Sequence, residues 1–399
     1  MIKVLLLISS IVYSIQQSLS LEHVEVRRSI IDSYMEGSPK ELFKVFHYIF
    51  EKPYNLNSEA AIAKYRVFKK NLSMIKEHNS KGLSWTLEVN AFADMTQEEI
   101  NAYMGLAPVG TETNIESLVS NKNFDLFDDL VEREERRKLK ELSFFEQFAD
   151  NDDDDPVPPQ VGNSTLPVID HSAYLTPARS QGSCGSCWAF STAGAVESNY
   201  NIVKNQTSVN ETGYISPQAI LDCNPSKYGC SGGWMNFAMR HVATSGAVRE
   251  KEYPYQTIQN PSCKNATTIS DLKFNSSNPV EGCAWTTWFD RMKPCTKNSF
   301  YNILAKGPVS VVLMAETNFS YYRSGTIDAS KIADCSSYNH AVLAFAWVTE
   351  TDKDNNVREV IRIRNSWGQW WGDRGNIKYY YDENGSCFIT KLAMRPNLI

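Results

Sequence analysis

Cys187 is the residue whose neighbours most strongly favour chemistry. It ends the run Gln181-Gly182-Ser183-Cys184-Gly185-Ser186-Cys187 and is followed by apolar residues that can bury one face of a helix. Gly185 and Ser186 can cap the start of that helix. In the first turn, free backbone N–H groups and the positive end of the helix dipole favour a thiolate. The pattern predicts a nucleophilic cysteine, kept ionised by the helix end and by an imidazolium.

His340 is the predicted base for this thiol. It is one of six histidines and begins His340-Ala341-Val342-Leu343, where a polar turn runs into an apolar strand. Asn365 follows the alternating run 360–364, so its amide oxygen can accept from the imidazole and fix the tautomer, while Trp367 shields that bond from water. Gln181 can donate its side-chain amide to an oxyanion, together with the backbone N–H of Cys187. These residues predict acyl transfer through a thioester.

Two other kinds of site use a cysteine pair spaced like Cys184 and Cys187. A thioredoxin-like redox pair would lie beside a βαβ pattern, and a zinc site would need a second pair of ligands at close spacing. The sequence offers neither context. We therefore expect no metal and no organic cofactor.

The run from Gln181 to Ser191 and the run Asn365-Ser366-Trp367-Gly368 resemble the active-site segments of papain-like cysteine peptidases, in particular the cathepsin L-like group. The resemblance implies an α+β, two-lobed fold. A helical left lobe would hold Cys187, and an antiparallel, β-barrel-like right lobe would hold His340 and Asn365. It further implies a cysteine endopeptidase made as a zymogen, which removal of a mainly helical propeptide domain activates.

The same resemblance implies a substrate groove. The residues expected to bind substrate are Gly232, Gly233, Trp234, Met235, Val312, Asn339, Ala341, Trp367 and Leu392. A bare glycine backbone can pair with an extended peptide. An apolar pocket predicts a preference for an apolar side chain two residues before the cleaved bond.

The nine cysteines all follow residue 180, and an odd total leaves one thiol unpaired, which we take to be Cys187. The resemblance implies that Cys184 pairs with Cys230, Cys223 with Cys263, and Cys335 with Cys387. We expect the remaining Cys283 and Cys295 to form an additional pair.

Residues 1–20 have the pattern of a secretory signal peptide: Lys3, an apolar run over 4–15, and small residues before residue 21. A membrane helix is the alternative, but the run is too short for one. We expect passage through the secretory pathway to a lysosome, a vacuole or the outside of the cell, without membrane attachment after cleavage. Eight Asn-x-Ser/Thr sequons support this: Asn71, Asn163, Asn205, Asn210, Asn265, Asn275, Asn318 and Asn384.

Residues 21–106 lack cysteine and predict two amphipathic helices. The apolar positions at helical spacing are Leu42, Val45, Phe46 and Ile49, then Ile62, Tyr65, Phe68, Leu72 and Ile75. Phe68, Asn71, Ile75 and Asn79 match the second half of the ERFNIN motif of cathepsin L-like propeptides, and the run 90–94 resembles the strand motif that follows it. Ala60 and Lys64 depart from the first half, which carries a buried salt-bridge network. We expect the carboxylates of this propeptide to lose their charge at low pH, which would weaken its binding to the groove.

Residues 107–163 predict an acidic, partly helical linker and processing region, with a charged stretch over 132–146 and an Asp-rich run before prolines. Residues 164–399 would form the peptidase domain. A net charge of -6 and the lack of a basic stripe argue against nucleic acid. The expected partners are protein or peptide substrates, the chain's own propeptide and cystatin-type inhibitors, for a monomeric enzyme.

Two functions of other classes remain open from sequence. One is a catalytically silent binding protein on the same fold, which would have less reason to keep Gln181, Cys187, His340 and Asn365 together. The other is a transpeptidase or ligase that passes the thioester to an amine. The insertion between Cys283 and Cys295 contains no histidine, so we favour endopeptidase over dipeptidase action.

Overall fold

The computed structural model describes residues 21–106, 166–207, 213–224, 229–284, 295–332, 338–382, 386–387 and 389–399. The predicted signal peptide, the linker with its charged stretch over 132–146, the insertion 285–294, Cys335 and the sequons at 163, 210 and 384 lie outside these residues. The described residues before 107 and from Pro167 onward belong to one compact unit. Within the described residues, no helix combines the length and apolar character needed to cross a membrane.

Three helices open the N-terminal segment: α1 (Leu21–Ser33), α2 (Pro39–Ile49) and α3 (Glu59–Ser80). The side chains of Ser38 and Ser58 accept backbone hydrogen bonds at the starts of α2 and α3. Phe46 and Phe68 pack where these two helices cross, with ring centroids 4.9 Å apart. Both predicted helices are therefore present. Helix α1 escapes prediction because its apolar residues are few and scattered.

The buried face of α3 differs from the prediction at one position. Ile62, predicted to be buried, is 53% exposed, whereas Ala61, Phe68, Leu72 and Ile75 are buried. Successive residues of a helix are turned by about 100°, so burying Ala61 directs Ile62 outward. Asn71 is also buried, and its Nδ2 donates to the carbonyls of residues 93 and 95 at 3.1 Å each. This sequon side chain therefore serves packing.

The rest of the N-terminal segment pairs with the C-terminal region, the described residues from 166 onward. Strand β1 (Trp85–Leu87) pairs antiparallel with β5 (Tyr322–Gly325). Helix α4 (Gln97–Asn101) begins with a capping box in which Thr96 and Glu99 satisfy each other's backbone N–H groups. The chain then runs on to Leu106, and the first strand of the C-terminal region is β2 (Ile169–Asp170).

The helical part of the C-terminal region is built around α5 (Cys187–Val203), which is buried along most of its length. It packs against α6 (Pro217–Cys223) and α7 (Met235–Ser245), and on its other side against the sheet. Because α5 contacts both halves, its first residue lies where helices and sheet meet.

In the part of the chain that the structure describes, the larger sheet contains seven antiparallel strands. Besides β2 they are β3 (Val280–Ala284), β4 (Val309–Leu313), β6 (His340–Thr351), β7 (Val357–Arg364), β8 (Asn376–Tyr380) and β9 (Leu392–Pro396), and helix α8 (Lys297–Ala305) precedes β4. The order is β3-β9-β4-β6-β7-β8, with β2 beside β6. The two strands predicted from sequence, one beginning at His340 and one over 360–364, are present as β6 and β7, and the α+β class is confirmed.

Three disulfides lie within the described residues: Cys184–Cys230, Cys223–Cys263 and Cys283–Cys295. Cys387 is disulfide-bonded as well, but its expected partner Cys335 is not among the described residues. Cys187 is the free cysteine of the described part of the chain.

Candidate active site

Cys187 is the first residue of α5, and Ser186 occupies the cap position before it. The predicted side-chain cap is absent, because the Ser186 hydroxyl lies 2.7 Å from that of Tyr255 instead. The Cys184–Cys230 disulfide holds the preceding loop in place. The thiol is thus fixed at a helix start whose backbone N–H groups remain available to it.

His340 and Asn365 come from neighbouring strands. His340 begins β6, and Asn365 follows the last residue of β7, which pairs with β6. Oδ1 of Asn365 accepts from Nε2 of His340 at 2.8 Å. The next residue after the histidine, Ala341, donates its N–H to Sγ of Cys187 at 3.4 Å. The fold therefore brings the three predicted residues together from positions far apart in sequence.

Burial governs the charge state of this pair. It raises the pKa of the Cys187 thiol to about 11, against the lowering effect of hydrogen bonds from backbone N–H groups including those of Ala341 and Gly105. It lowers the pKa of His340 to about 4, although the bond to Asn365 acts in the opposite direction. In this covered form burial therefore favours the neutral thiol and the neutral imidazole, and the ionised pair remains a prediction for the enzyme with an open groove. Nδ1 of His340 has no hydrogen-bond partner among the described residues.

The end of the N-terminal segment, with Gly105 and Leu106, covers the thiol of Cys187. The N–H of Gly233 donates to the carbonyl of Gly105 at 3.0 Å, and the N–H of Leu106 donates to the carbonyl of Asn339 at 3.3 Å. A Cβ on Gly105 would overlap the backbone of Gly185. Only a glycine allows the two backbones to approach this closely, so residue 105 is fixed by contact with the groove.

Gln181 holds its amide in one orientation. Nε2 donates to the carbonyls of Cys184 at 2.8 Å and of Tyr103 at 2.9 Å, while Oε1 accepts from the Ser366 hydroxyl at 2.6 Å. The N–H of Ser366 donates to Oδ1 of Asn365 at 2.8 Å. Ser366 therefore orients both Gln181 and Asn365. Sequence analysis gave it no role, although it lies inside the Asn-Ser-Trp-Gly run.

The residues predicted to form the apolar pocket are brought together. Trp234, Met235, Val312, Ala341 and Leu392 are all buried in one hydrophobic cluster, and Leu106 packs against that cluster. Of the two glycines beside them, Gly232 has a φ of 128°, and a Cβ on Gly233 would lie 2.5 Å from the Trp188 indole. The bare backbone of this wall is thus a steric requirement.

Aromatic rings enclose the imidazole. The rings of Trp367 and Phe319 lie 5.1 Å and 5.9 Å from that of His340, and Trp371 packs behind both. Phe319 and Trp371 were missed from sequence because neither lies in a periodic element next to a catalytic residue. Together these rings exclude water from the bond between His340 and Asn365.

Ion pairs and hydrogen bonds join helix α1 and the residue after β1 to the C-terminal region. Arg28 donates to both carboxylate oxygens of Glu88, at 2.8 Å and 2.9 Å, and also to the carbonyls of Trp370 and Gly372. Asp32 accepts two hydrogen bonds of 2.8 Å from Arg323. The carboxylate of Glu88 is 5% exposed and Arg28 is 12% exposed. Arg28 therefore joins three chain segments at one buried point.

A second group of ion pairs lies within the N-terminal segment. Lys64 pairs with Glu99 at 2.5 Å, and Lys52 pairs at 2.7 Å with Asp94, which also accepts from the Tyr54 hydroxyl. Although Ala60 and Lys64 depart from the motif, ion pairs are present, because Lys64 itself pairs with Glu99 and Lys52 pairs with Asp94. Within the described residues no group of His, Cys, Asp and Glu could hold a metal ion.

Comparison with known proteins identifies two family models that match this chain. Residues 165–397 match the papain family cysteine protease model, and residues 43–100 match the cathepsin propeptide inhibitor domain. A cathepsin L-like proteinase of Fasciola hepatica is 29% identical over 371 residues, covering 90% of this chain and 94% of the relative. Cathepsin K of Mus musculus is 29% identical over 367 residues, covering 90% and 92%.

Solved structures extend the likeness to the proform. Digestive procathepsin L2 proteinase from the larval midgut of Tenebrio molitor superposes with a TM-score of 0.66 at 27% identity, covering 90% of this chain and all of that one. A recombinant stem bromelain precursor superposes with a TM-score of 0.64 at 25% identity, covering 90% of this chain. With its inhibitor domain and covered thiol, the chain belongs to the papain family of cysteine proteases and is a cysteine endopeptidase made as a zymogen.

Proposed function

We propose that Cys187 is the nucleophile of this endopeptidase and His340 its acid and base. Sγ attacks the carbonyl carbon of the scissile bond, the proton passes through His340 to the leaving amine, and the C–N bond breaks to leave a thioester. His340 then takes a proton from water, which hydrolyses the thioester and regenerates the thiol. The observation that carries this proposal is the bond between Nε2 of His340 and Asn365 beside a thiol that is contacted by the Ala341 N–H.

Removal of Gly105 and Leu106 from the groove would restore the thiolate of Cys187 and the imidazolium of His340. The pKa shifts of Cys187 and His340 both have burial as their largest cause. Opening the groove at Gly105 and Leu106 returns water to the thiol and the imidazole, so the pKa of the thiol falls and that of the imidazole rises. Transfer of the proton between them then needs no external base.

Gln181 supplies an oxyanion donor in this proposal, with the N–H of Cys187. The support is that Nε2 already holds a peptide carbonyl, that of Tyr103, at 2.9 Å. The Ser366 hydroxyl fixes which end of the amide faces the groove. An oriented donor of this kind stabilises a developing negative charge without reorganising during the reaction.

The specificity we propose is for an apolar side chain two residues before the cleaved bond. Leu106 packs against the hydrophobic cluster that contains Trp234, Met235 and Val312. A basic side chain placed there would lose its hydration without gaining a partner.

The processing and location of the enzyme are also proposals. The domain bounds 1–20, 21–106, 107–163 and 164–399, activation by cleavage in the acidic linker, and delivery through the secretory pathway to a lysosome, a vacuole or the cell exterior follow from sequence. Asn205 and Asn265 are exposed sequons, so we propose them as glycan acceptors. We also propose that the mature enzyme is a monomer and that cystatin-type inhibitors bind it.

The decisive experiment compares wild type with Cys187→Ala after acid activation, on peptides with Leu, Phe or Arg two residues before the cleaved bond. We expect turnover of the Leu and Phe peptides, weak turnover of the Arg peptide, and none with Cys187→Ala. His340→Ala and Asn365→Ala separate the base from its orienting partner. If correctly processed wild type cleaved no peptide, the catalytic proposal would fail and a silent binding role would replace it. Transfer of the acyl group to an added amine would reveal ligase activity.

A further inference from the structure

The side chain of Tyr255 connects the proposed oxyanion donor to the start of helix α5. Its hydroxyl donates to the backbone carbonyl of Gln181 at 2.8 Å and lies 2.7 Å from the hydroxyl of Ser186. A phenol has a single proton and a carbonyl can only accept, so the Ser186 hydroxyl is the donor in the second bond. One side chain thus contacts both Gln181 and the residue that precedes Cys187.

Tyr255 is itself held in place by neighbouring residues. Its ring meets that of Phe190, in α5, edge to face with the centroids 4.7 Å apart. Its backbone N–H donates to a carboxylate oxygen of Glu250 at 3.1 Å, and Glu250 pairs with Arg179 at 3.1 Å. All four residues belong to the proposed peptidase domain, so these contacts remain after the propeptide has left.

Gln181 is held from two sides. Its backbone N–H donates to the carbonyl of Ser366 at 2.8 Å, and its Oε1 accepts from the Ser366 hydroxyl. Ser366 follows β7, whereas Tyr255 reaches the Gln181 carbonyl from the side of α5. In the zymogen Nε2 also donates to Tyr103, which leaves with the propeptide. The position of Gln181 in the mature enzyme therefore depends on Ser366, on Tyr255 and on the carbonyl of Cys184.

The segment that carries Tyr255 packs closely against the loop after Gln181. Gly182 has a φ of 57°, and a Cβ there would lie 2.8 Å from Cγ2 of Thr257. Burial raises the pKa of Tyr255 to about 12, although the hydrogen bond from Ser186 acts in the opposite direction. The hydroxyl therefore keeps its proton up to about pH 10. Because a misplacement of about 1 Å can cost about a hundredfold in rate, the bond from Tyr255 to Gln181 bears directly on catalysis.

We propose that Tyr255 is a positioning residue for the oxyanion donor. Its hydroxyl holds the backbone of Gln181 at a fixed distance from the start of α5, so that the side-chain amide of Gln181 and the N–H of Cys187 can bind one oxygen together. The inference rests on the proposed function, since it requires Gln181 as the donor assigned there. Tyr255 acts on the transition state through Gln181 rather than by contact with the substrate.

The first test compares activated wild type with Tyr255→Phe, which keeps the ring against Phe190 and removes only the hydroxyl. On a peptide with Leu two residues before the cleaved bond, we expect kcat to fall about tenfold and KM to stay within about twofold, because the oxyanion forms only in the transition state. Tyr200→Phe is the matched control. The hydroxyl of Tyr200 donates to Asp271, about 20 Å along α5 from Cys187. This variant should keep the wild-type kinetics.

A double-mutant cycle identifies the path of the effect. Adding Tyr255→Phe to Gln181→Ala should lower kcat/KM by no more than about twofold, because the donor that Tyr255 positions is already absent. A further loss of about tenfold would overturn the inference, since independent contributions multiply. An unchanged kcat in Tyr255→Phe, when wild type cleaves the peptide, would overturn the inference alone and leave the proposed function intact. An unchanged kcat/KM in Gln181→Ala would reject the proposed donor, and the inference with it.

Alkylation of the activated enzyme by iodoacetamide separates an effect on the donor from an effect on the nucleophile. This reaction displaces iodide from a saturated carbon and forms no oxyanion, so Tyr255→Phe should react at the wild-type rate. A rate that falls in step with kcat would show that Tyr255 acts on the thiol through Ser186, and would overturn the inference. If Tyr255→Phe does not mature, Ser186→Ala removes the other contact of the hydroxyl and takes its place in the cycle, with the same dependence on Gln181 expected.

Discussion

Nε2 of Gln181 donates a hydrogen bond to the carbonyl oxygen of Tyr103 at 2.9 Å. The zymogen therefore occupies the proposed oxyanion donor with its own backbone, in addition to covering the thiol with Gly105. A substrate has to displace both contacts before its carbonyl can reach Cys187. The propeptide thus contacts Gln181 and Cys187 directly, in addition to filling the groove around them.

Replacing Gln181 with alanine should reduce kcat/KM of the activated enzyme by about a hundredfold, because one oxyanion donor is lost. Titration of the thiol with an epoxide inhibitor measures the concentration of folded active sites and normalises the rate. Gln97→Ala is a matched control, since Gln97 contacts Thr317 from the propeptide and is absent after activation. An unchanged kcat/KM in Gln181→Ala would argue against the assigned donor.

Alkylation of Cys187 in the intact zymogen should be slow at pH 7 and rise about tenfold per pH unit up to pH 10. Burial raises the pKa of this thiol to about 11, so the reactive thiolate remains a minor form over that range. The raised pKa also means that the folded zymogen holds this proton more tightly than the unfolded chain. Stability from this source should be complete below about pH 8.5 and decline as the pH rises toward 11. Iodoacetamide labelling followed by mass spectrometry provides the rates.

Leu106→Asp should speed that alkylation at pH 7, because a carboxylate packed against an apolar cluster lacks a partner and lifts the chain from the groove. Leu106→Met, similar in size and polarity, is the control and should react like wild type. An identical rate in Leu106→Asp would show that Leu106 does not hold the cover in place.

Arg28→Ala should weaken the attachment of the propeptide by about 3 kcal/mol, since it leaves the buried carboxylate of Glu88 without its partner. It also removes the bonds to the carbonyls of Trp370 and Gly372. The double variant Arg28→Met, Glu88→Leu should recover much of this loss, because no charge remains buried. The thermal midpoint and the rate of acid activation report the effect. Arg66→Ala, on the exposed side of α3, should change neither.

Two propeptide glutamates should respond to pH with opposite sign. Burial raises the pKa of Glu88 to about 7 despite Arg28, so the folded form takes up a proton more readily than the unfolded chain and gains stability as the pH falls from about 7 to 4.5. Burial alone would raise the pKa of Glu99, but hydrogen bonds from Lys64 and the Thr96 backbone lower it overall. Its contribution is therefore present above about pH 4.5 and lost below. Sequence predicted that acid weakens the binding of the propeptide because its carboxylates lose charge. The pKa shift of Glu99 has the direction that this prediction requires, whereas the shift of Glu88 has the opposite direction.

Unfolding midpoints measured from pH 3 to 8 test this assignment. Glu99→Gln should flatten the loss of stability below pH 4.5, and Glu88→Gln should remove the gain between pH 7 and 4.5. The same profile in both variants would contradict the opposite signs.

Sequence predicted the parts of this protein that depend on contiguous residues. The helix start at Cys187, the strand at His340 and the buried faces of α2 and α3 each follow from local pattern. Ser366 and Phe319 were missed because their roles depend on contacts with Gln181 and His340, which only the folded chain creates. The pair of Arg28 and Glu88 joins residues 60 apart in sequence. The effect of burial on the pKa of Cys187 could not be predicted for a related reason, since Gly105, which contacts the thiol, is distant in sequence.

Strand β1 is the partner of β5 among the described strands, and it departs when the propeptide does. Activation therefore leaves β5 as a sheet edge with open hydrogen-bonding groups, a feature that invites pairing between molecules. Arg323 lies in that edge and is released from Asp32 at the same moment. Its freed positive charge can then oppose edge-to-edge pairing of two mature molecules. The same arginine thus binds the propeptide in the zymogen and protects the open strand edge in the mature enzyme.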